Sequence, residues 1–283
     1  MLVFATGARG AESWDDLKAD LAANASLALG ASASWTPSYA GSSSQSVRPH
    51  ALWAFQYGRI RISTGGAAAV LGIAQDPRGP GASAELFSSD KLRAGIALRI
   101  DRGRNSSAVD GLEDLPDVAP TLRARIYASY ALTPNWTLAT ALSPDLLGRG
   151  GGAVMTADLG YRRSLTATSE WYTGVGVNWA DARYMNSYYG VSEETAAATG
   201  RTAYVPGAGV TGVRAAVGFT TALSSRWILF GGAGVTRLLG HAADSPLTQQ
   251  QLASSVSLGL AYRWGARYDG LTSVLLPPTA ARP

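Results

Sequence analysis

Few side chains in this 283-residue chain could act as acid–base or nucleophilic groups near neutral pH. The two histidines, His50 and His241, lie far apart, and only His241 has a carboxylate and a hydroxyl nearby, in Asp244 and Ser245. A Ser–His–Asp hydrolase needs these groups hydrogen-bonded to one another beside an oxyanion hole. Three such residues within one short segment are more typical of a turn, so we predict no catalytic residues.

Residues 207–212, Gly-Ala-Gly-Val-Thr-Gly, match the G-x-G-x-x-G fingerprint of dinucleotide-binding loops. That fingerprint binds a pyrophosphate only where a strand precedes it and a helix follows it. Here a long turn-rich segment precedes it and an alternating segment follows. The chain also has no cysteine, and two distant histidines do not suggest a metal site. The sequence therefore predicts neither a cofactor nor a metal.

The composition favours a membrane barrel over a soluble domain. Hydrophobic residues make up 46% of the chain and charged residues only 16%, whereas a soluble domain has about 25% charged residues. A barrel accounts for this balance and for the 33 glycines, 8 tryptophans and 12 tyrosines, because apolar residues face lipid and aromatic residues form belts at its interfaces. A soluble β-sandwich would need a more charged exterior. The net charge of +4 comes with no basic run longer than two or three residues and with no binding motif, so no nucleic-acid partner is predicted.

Alternation of apolar and polar residues predicts the elements that position these side chains. In residues 91–102, for example, Leu92, Ile96 and Ile100 share one face, and Arg93 and Arg99 lie on the other. Period two is typical of β-strands, and no segment is apolar for the ~18 residues that a spanning helix needs. Twelve segments alternate in this way: 26–35, 51–57, 59–63, 83–87, 91–102, 122–130, 136–142, 153–162, 171–180, 212–220, 226–238 and 255–264. We predict an all-β fold, a transmembrane antiparallel barrel of about twelve strands.

The connections between these segments alternate in length. Those after the even-numbered strands are short, and those after the odd-numbered strands are mostly long and rich in turn residues. Outer-membrane barrels have short periplasmic turns and long outer loops. The sequence therefore predicts that both ends of the barrel domain, residues 25–264, lie on the periplasmic side.

The segments that flank this domain are predicted separately. Residues 1–24 resemble a truncated export signal followed by a periplasmic leader, in which Trp14, Leu17 and Leu21 have the spacing of a short helix. Residues 265–283 are predicted to be a C-terminal tail.

Charged residues of the strands lie on the face opposite the apolar one. A charge on the lipid face near the midplane costs ~2–4 kcal/mol, so these side chains are expected to line the lumen. The predicted lumenal arginines are Arg61, Arg93, Arg99, Arg123, Arg125, Arg214 and Arg263, with Asp101 and Asp158 among them. They indicate either an anion-favouring pore or a packed, salt-bridged interior.

Two segments in the second half of the chain are distinctive: residues 183–192, Arg-Tyr-Met-Asn-Ser-Tyr-Tyr-Gly-Val-Ser, and residues 237–246, Arg-Leu-Leu-Gly-His-Ala-Ala-Asp-Ser-Pro. They resemble the Y-M-x-x-Y-F-G-V-S signature and the R-L-L-G-D-A-A-D-S-P segment of the MipA/OmpV family of outer-membrane proteins, with His241 in place of the first aspartate. The similarity extends, more weakly, over nearly all of residues 25–264. The motif residues are Tyr184, Tyr188, Tyr189, Gly190, Val191, Ser192, Asp244, Ser245 and Pro246.

This resemblance implies a non-enzymatic protein in the outer membrane of a Gram-negative bacterium, surrounded by outer-membrane lipid. The function that it implies first is a scaffold in peptidoglycan turnover, with a lytic murein transglycosylase and a penicillin-binding protein as partners. A small porin or uptake channel with an Arg-rich lumen, or an adhesin, are the alternatives.

Overall fold

The computed structural model describes residues 24–64, 80–109 and 111–265. Within these ranges, twelve antiparallel strands form one closed barrel in which each strand pairs with its neighbours in sequence and β1 pairs with β12. The strands are β1 (Ala25–Pro37), β2 (Gln45–Tyr57), β3 (Ile60–Ser63), β4 (Gly81–Ser88), β5 (Leu92–Asp101), β6 (Thr121–Ala131), β7 (Trp136–Pro144), β8 (Ala153–Ser164), β9 (Ser169–Ala180), β10 (Gly209–Ala222), β11 (Trp227–Leu238) and β12 (Leu252–Gly265). The predicted fold class is confirmed. The predicted leader stripe of Trp14, Leu17 and Leu21 and the predicted tail beyond residue 265 lie outside the described residues.

The two ends of the barrel differ as the connection lengths predicted. At one end, which we call the turn end, the strands are joined by residues 58–59, 89–91, 132–135, 165–168 and 223–226. At the other, the loop end, the connections are residues 38–44, 64–80, 102–120, 145–152, 181–208 and 239–251. The loop end contains the helices α1 (Ala182–Tyr189), α2 (Glu193–Thr199) and α3 (Gly240–Ala243), and a 3-10 turn at Ser106–Ala108. None of the helices in the described ranges has the length and apolar character needed to cross a bilayer.

Strand alternation gives the barrel an apolar outer face and separates it from the lumenal face. On β5, Leu92, Ile96 and Ile100 are exposed on the outside, whereas Gly95 and Ala97, with the opposite parity, are buried. Apolar side chains exposed around the outside of a closed barrel are stable only against lipid. The outer face is therefore the membrane-contacting surface.

Aromatic side chains mark the two edges of this apolar band. At the turn end, Tyr161 packs between Trp136 and Trp171, with ring centroids 5.0 Å and 5.7 Å apart. Trp179 lies on the same face of β9 as Trp171, towards the loop end. With a rise of ~3.3 Å per residue and a tilt of ~40°, the two tryptophans differ in level by ~20 Å, close to the ~25 Å height of an outer-membrane apolar band.

The largest difference between a predicted and an observed strand boundary is at the start of β2. Strand β2 begins at Gln45, six residues before the predicted start at Ala51. The polar run that contains Arg48 and Pro49 hid this part of the strand, because proline cannot donate a ladder hydrogen bond and argues against a central strand. Here β3 pairs only with residues 54–57 of β2. Pro49 therefore pairs with β1 on one side and with no described strand on the side of β3.

The lumen near the turn end is filled by apolar side chains from β1, β2, β11 and β12. The ring of Phe230 lies directly against Gly259 of the neighbouring strand, where a Cβ would collide with it. This buried cluster consists of Ala28, Leu52, Ala54, Ile228, Phe230 and Ala261. The lumen on this side is therefore packed, in contrast to the polar wall described below.

Candidate functional site

The long connections at the loop end pack together into one body, which we call the lid. It comprises the described residues of connections 38–44, 102–120, 145–152, 181–208 and 239–251. Helix α1 begins where the Asp181 carboxylate accepts a hydrogen bond from the Tyr184 N–H at 2.8 Å. Helix α2 begins where the Ser192 hydroxyl accepts one from Thr195 N–H at 3.1 Å. These caps satisfy N–H groups that a helix start leaves without partners.

Helix α1 packs into the mouth of the barrel. Its Met185 is 0% exposed and Tyr189 is buried with it. Both pack against Val154, Ala180 and Leu238, which lie on the lumenal face of β8, β9 and β11 near the loop end. The lid is therefore anchored inside the barrel rather than extended above it.

A second apolar cluster joins the loops to one another. Leu112, Leu115, Val191 and Leu247 come from three different connections and are all buried together. The Tyr39 hydroxyl, from a fourth connection, donates to the carbonyl oxygen of Leu247 at 3.0 Å. Because four of the five connections contribute to this cluster, we expect the lid to open as a unit.

Arg123, predicted as a lumenal arginine, fastens this lid to the barrel wall. It is 5% exposed, and its Nε atom lies 2.7 Å from the Asp101 carboxylate. Its Nη2 atom donates to the carbonyl oxygen of Gly151 at 2.6 Å, and Nη1 donates to those of Ser143 and Gly152 at 3.1 Å. A guanidinium held by four acceptors is a structural tie and not a mobile channel charge.

Two tyrosines of α1 cover this ion pair. The Arg123 guanidinium lies 5.5 Å from the ring centroid of Tyr184, which stacks on Tyr188 at 4.4 Å. The Tyr188 hydroxyl donates to Asp101 at 3.4 Å. Burial, reinforced by the Asp101 charge, raises the pKa of Tyr188 above its ordinary value of 10.0. On the far side, Arg104 donates from Nη1 to the Tyr188 carbonyl oxygen at 3.0 Å, and burial lowers the pKa of Arg104.

A family model described as MltA-interacting protein MipA matches residues 29–264 of this chain. The match covers well over half of the chain. The chain belongs to the MipA family. As a closed barrel with an apolar outer face, it is an outer-membrane protein.

Two relatives named MltA-interacting protein, from Escherichia coli (strain K12) and Shigella flexneri, are each 29% identical to this chain over 160 residues. The alignments cover 54% of this chain and 60% of each relative, which is less than two thirds of the relatives' length.

Three solved barrels resemble the chain in fold. A NanC porin has a TM-score of 0.44 at 8% identity, and a KdgM porin 0.41 at 8%; each alignment covers 83% of this chain and 98% of the other. The outer-membrane expressed OmpT of Vibrio cholerae has a TM-score of 0.39 at 7% identity, covering 85% and 97%. At such values the likeness has no bearing on function.

The residues that resemble the MipA family signature build the lid. Tyr184, Tyr188 and Tyr189 belong to α1, and the next three residues connect it to α2. Gly190 ends α1, Val191 is buried in the second apolar cluster and Ser192 caps α2.

The second motif segment contains the groups considered for a hydrolase. The Ser245 hydroxyl donates to the Tyr189 carbonyl oxygen at 2.7 Å and accepts from Leu247 N–H at 3.1 Å. Asp244 ends α3 and is exposed, as is Pro246. His241 is held at its carbonyl oxygen by the Tyr204 hydroxyl, at 2.9 Å. The serine is thus engaged in joining α1 to α3.

The glycine fingerprint and possible metal-binding groups can also be compared with the structure. Gly209 begins β10, so the glycine fingerprint at residues 207–212 leads into a strand and not into a helix. Across the described ranges, no group of three His, Cys, Asp or Glu side chains could hold a metal ion.

Further arginines of this MipA-family barrel form ion pairs across the lumenal wall. Arg214 pairs with Asp158 and also donates to Asn178. Arg162 pairs with Glu170 at 3.5 Å. Sequence reasoning did not single out the second pair, although Arg162 has the same strand parity as Asp158 and so could have been assigned to the lumen.

The remaining predicted lumenal arginines follow a different pattern. Arg263 donates to the Ser225 carbonyl oxygen at the turn end, at 3.3 Å. Arg61 donates to Gln56 at 2.7 Å.

Strand register places Arg61, Ser83, Ala97 and Arg125 in one row across β3 to β6, with Arg93 and Arg99 on the same lumenal face of β5. On these four strands Glu85 and Asp101 are the lumenal carboxylates, and Asp101 is bound to Arg123. This wall, which we call the arginine wall, has a net positive charge.

Proposed function

We propose that this MipA-family barrel is a non-enzymatic outer-membrane scaffold that binds peptidoglycan-remodelling enzymes, a lytic murein transglycosylase and a penicillin-binding protein, at its turn end. The printed name of the two relatives, MltA-interacting protein, supports a transglycosylase partner. In an outer-membrane barrel the short turns face the periplasm, where such enzymes act.

The observation that carries the proposal is the lid. Five connections at the loop end are packed against one another and into the barrel mouth through Met185, and they are fastened by the Arg123–Asp101 ion pair. A scaffold has no need of an unobstructed path through the lumen, whereas a freely conducting pore would need one. The turn end remains as the surface that a periplasmic protein can reach.

The turn end offers a repeated feature for such contacts. Three of its turns share one pattern, in which a leucine is followed by Thr or Ser whose hydroxyl accepts from backbone N–H groups further along the turn. The leucines Leu132, Leu165 and Leu223 are all exposed. Leu165 is the most exposed, at 64%. It lies within residues 163–170, one of three segments that the predicted topology leaves open to a periplasmic partner; the others are residues 12–23, which the sequence favours, and residues 265–283. We propose this turn as the first contact to test.

Photocrosslinking in intact envelopes tests the scaffold. A photoreactive residue replaces Leu165 at the turn end, and another replaces Val205, which is 77% exposed at the loop end, as the matched control. A third position, Trp14, tests the predicted leader stripe. Capture of a transglycosylase or penicillin-binding protein at Leu165 or Trp14, and not at Val205, is expected. Capture at Val205 alone would show that the barrel has the opposite orientation, and capture at none would refute the scaffold.

A second candidate function, an anion channel, is favoured by the arginine wall. Arg61, Arg93, Arg99 and Arg125 outnumber the carboxylates on β3 to β6, and a wall of one sign attracts ions of the other. Bilayer recordings of the refolded barrel distinguish the two functions. A steady anion current that reverses its selectivity in Arg99→Glu/Arg125→Glu would support the channel, and a silent barrel would support the scaffold.

A further inference from the structure

The membrane-facing surface of the barrel is concave between β7 and β12. A cavity of about 490 Å³ lies there, although the outside of a barrel is normally convex. Apart from Arg237, the lining residues of outward strand parity are apolar, and three further lining residues have lumenal parity. The apolar ones include Leu159, Val175, Val213, Ala215, Val235 and Leu252. The concavity is therefore a groove in the lipid-contacting surface.

Glycines on the opposite side of the same wall explain this shape. Gly174, Gly176, Gly218, Gly232 and Gly234 occupy lumenal positions on β9, β10 and β11. Without side chains on its lumenal face, this part of the sheet can bend inward until backbone and neighbouring side chains meet. At Gly176 the Arg214–Asp158 ion pair fills the lumenal space that a side chain would need.

One charged residue lies at the edge of the groove. Arg237 has the outward parity of Val235 on β11 and is exposed, and strand register places it between Val213 and Leu252. Its row is next to that of Trp179, in the belt at the loop end. A charge facing lipid is costly in the apolar band and is tolerated near the headgroups, where the side chain can extend to a polar partner.

We propose that this groove binds a phosphorylated glycolipid of the outer leaflet, with acyl chains along the apolar floor and a phosphate on Arg237. A guanidinium binds phosphate oxygens in a bidentate manner, which suits a fixed headgroup. Val213 and Leu252 beside Arg237 then contact the first carbons of the acyl chains. The proposal rests on the outward orientation of the loop end, which the proposed scaffold function also requires.

Lipid A is the probe for this site, titrated against the detergent-purified full chain and followed by native mass spectrometry. Arg237→Gln is expected to weaken binding about tenfold or more, since it removes a charge-assisted contact. Arg163→Gln is the matched control, because Arg163 is exposed with outward parity on β8 but lies at the turn end; it is expected to bind as the parent does. Ala215→Trp places a large side chain in the groove and is expected to weaken binding while retaining Arg237.

Three results would overturn the proposal. These are equal affinity of the parent and Arg237→Gln, equal affinity for lipid A with and without its phosphates, and complete competition by inorganic phosphate, which would reduce the groove to an anion contact. Chemical labelling of Val205→Cys in whole cells measures the orientation separately. A groove that fails in a correctly oriented barrel leaves the scaffold untouched, whereas an inverted barrel refutes both.

Discussion

Replacing Arg123 tests whether the lid is fastened by a buried ion pair. Arg123→Gln removes the cation that binds Asp101 and three carbonyl oxygens. Deleting one partner of a buried pair costs about 3–5 kcal/mol, because the other charge stays buried alone. The Asp101 side chain is 23% exposed, so water offsets part of this cost and we expect the lower end, ~3 kcal/mol.

This cost should fall on the lid and not on the barrel. The backbone ladders of β5 and β6 do not depend on the Arg123 side chain, whereas α1 rests on it through Tyr184. A change of ~3 kcal/mol corresponds to a ~100-fold rise in the population with the lid open. Limited trypsin cleavage at Arg183 and Arg201 measures this population, provided that the lid opens and closes faster than it is cut.

The control and the double variant make this test decisive. Arg163→Gln, at the turn end, is expected to leave the cleavage rate unchanged. Adding Asp101→Asn to Arg123→Gln is expected to cost little further, because the stranded carboxylate is then neutral, and the pair should show a large coupling energy. Cleavage of Arg123→Gln within twofold of the parent, or additive effects of the two changes, would refute the ion pair as the fastening of the lid.

Three further outcomes are expected. Leu258→Arg should impair insertion by ~2–4 kcal/mol, because Leu258 is 54% exposed on the lipid face, whereas Ser257→Arg on the lumenal face should fold normally; equal yields of heat-modifiable barrel would show the register to be wrong. Tyr188 has a raised pKa, so the stability that its neutral form contributes is complete below pH 10.0 and is lost as pH rises through the folded-state pKa. An alkaline increase in lid proteolysis should therefore be present in the parent and absent in Tyr188→Phe. Gly218→Val should destabilise the barrel by ~1–3 kcal/mol through collision with the Tyr172 ring. Adding Tyr172→Leu to this variant should bring the urea concentration at the midpoint of unfolding back towards the parent value.

Alternation and connection length were sufficient to predict the barrel, because both are local properties of the chain. The strand start at Gln45 was missed where Arg48 and Pro49 interrupt the apolar pattern. Helices α1 and α2 were missed because each is shorter than a helix that is stable alone, although the capping residues Asp181 and Ser192 could have indicated their starts.

The ion pairs required information that the sequence lacks. Parity placed Arg123 and Asp101 on one face, yet their contact depends on register: Asp101 lies opposite Thr121, which brings Arg123 to a diagonal position. Neither alternation nor composition fixes register across a long connection such as residues 102–120. The sequence therefore left open whether the arginines form a pore or a packed interior, because the four hydrogen-bond acceptors of Arg123 are its neighbours in space and not in sequence.

The position of the family-like segments bears on the proposed scaffold function. Tyr184, Tyr188 and Ser245, by which the chain resembles its family, form the lid at the loop end, whereas a periplasmic enzyme would meet the turn end. The resemblance therefore reports on how the lid packs into the barrel mouth and carries no information about a partner surface. It follows that a MipA-family barrel could retain its lid and differ in what it binds, and that partner specificity must be sought in turns such as the one that displays Leu165. Exchanging residues 164–169 between this chain and a relative, with both lids intact, should transfer partner capture if this reasoning holds, and capture that instead follows the lid would contradict it.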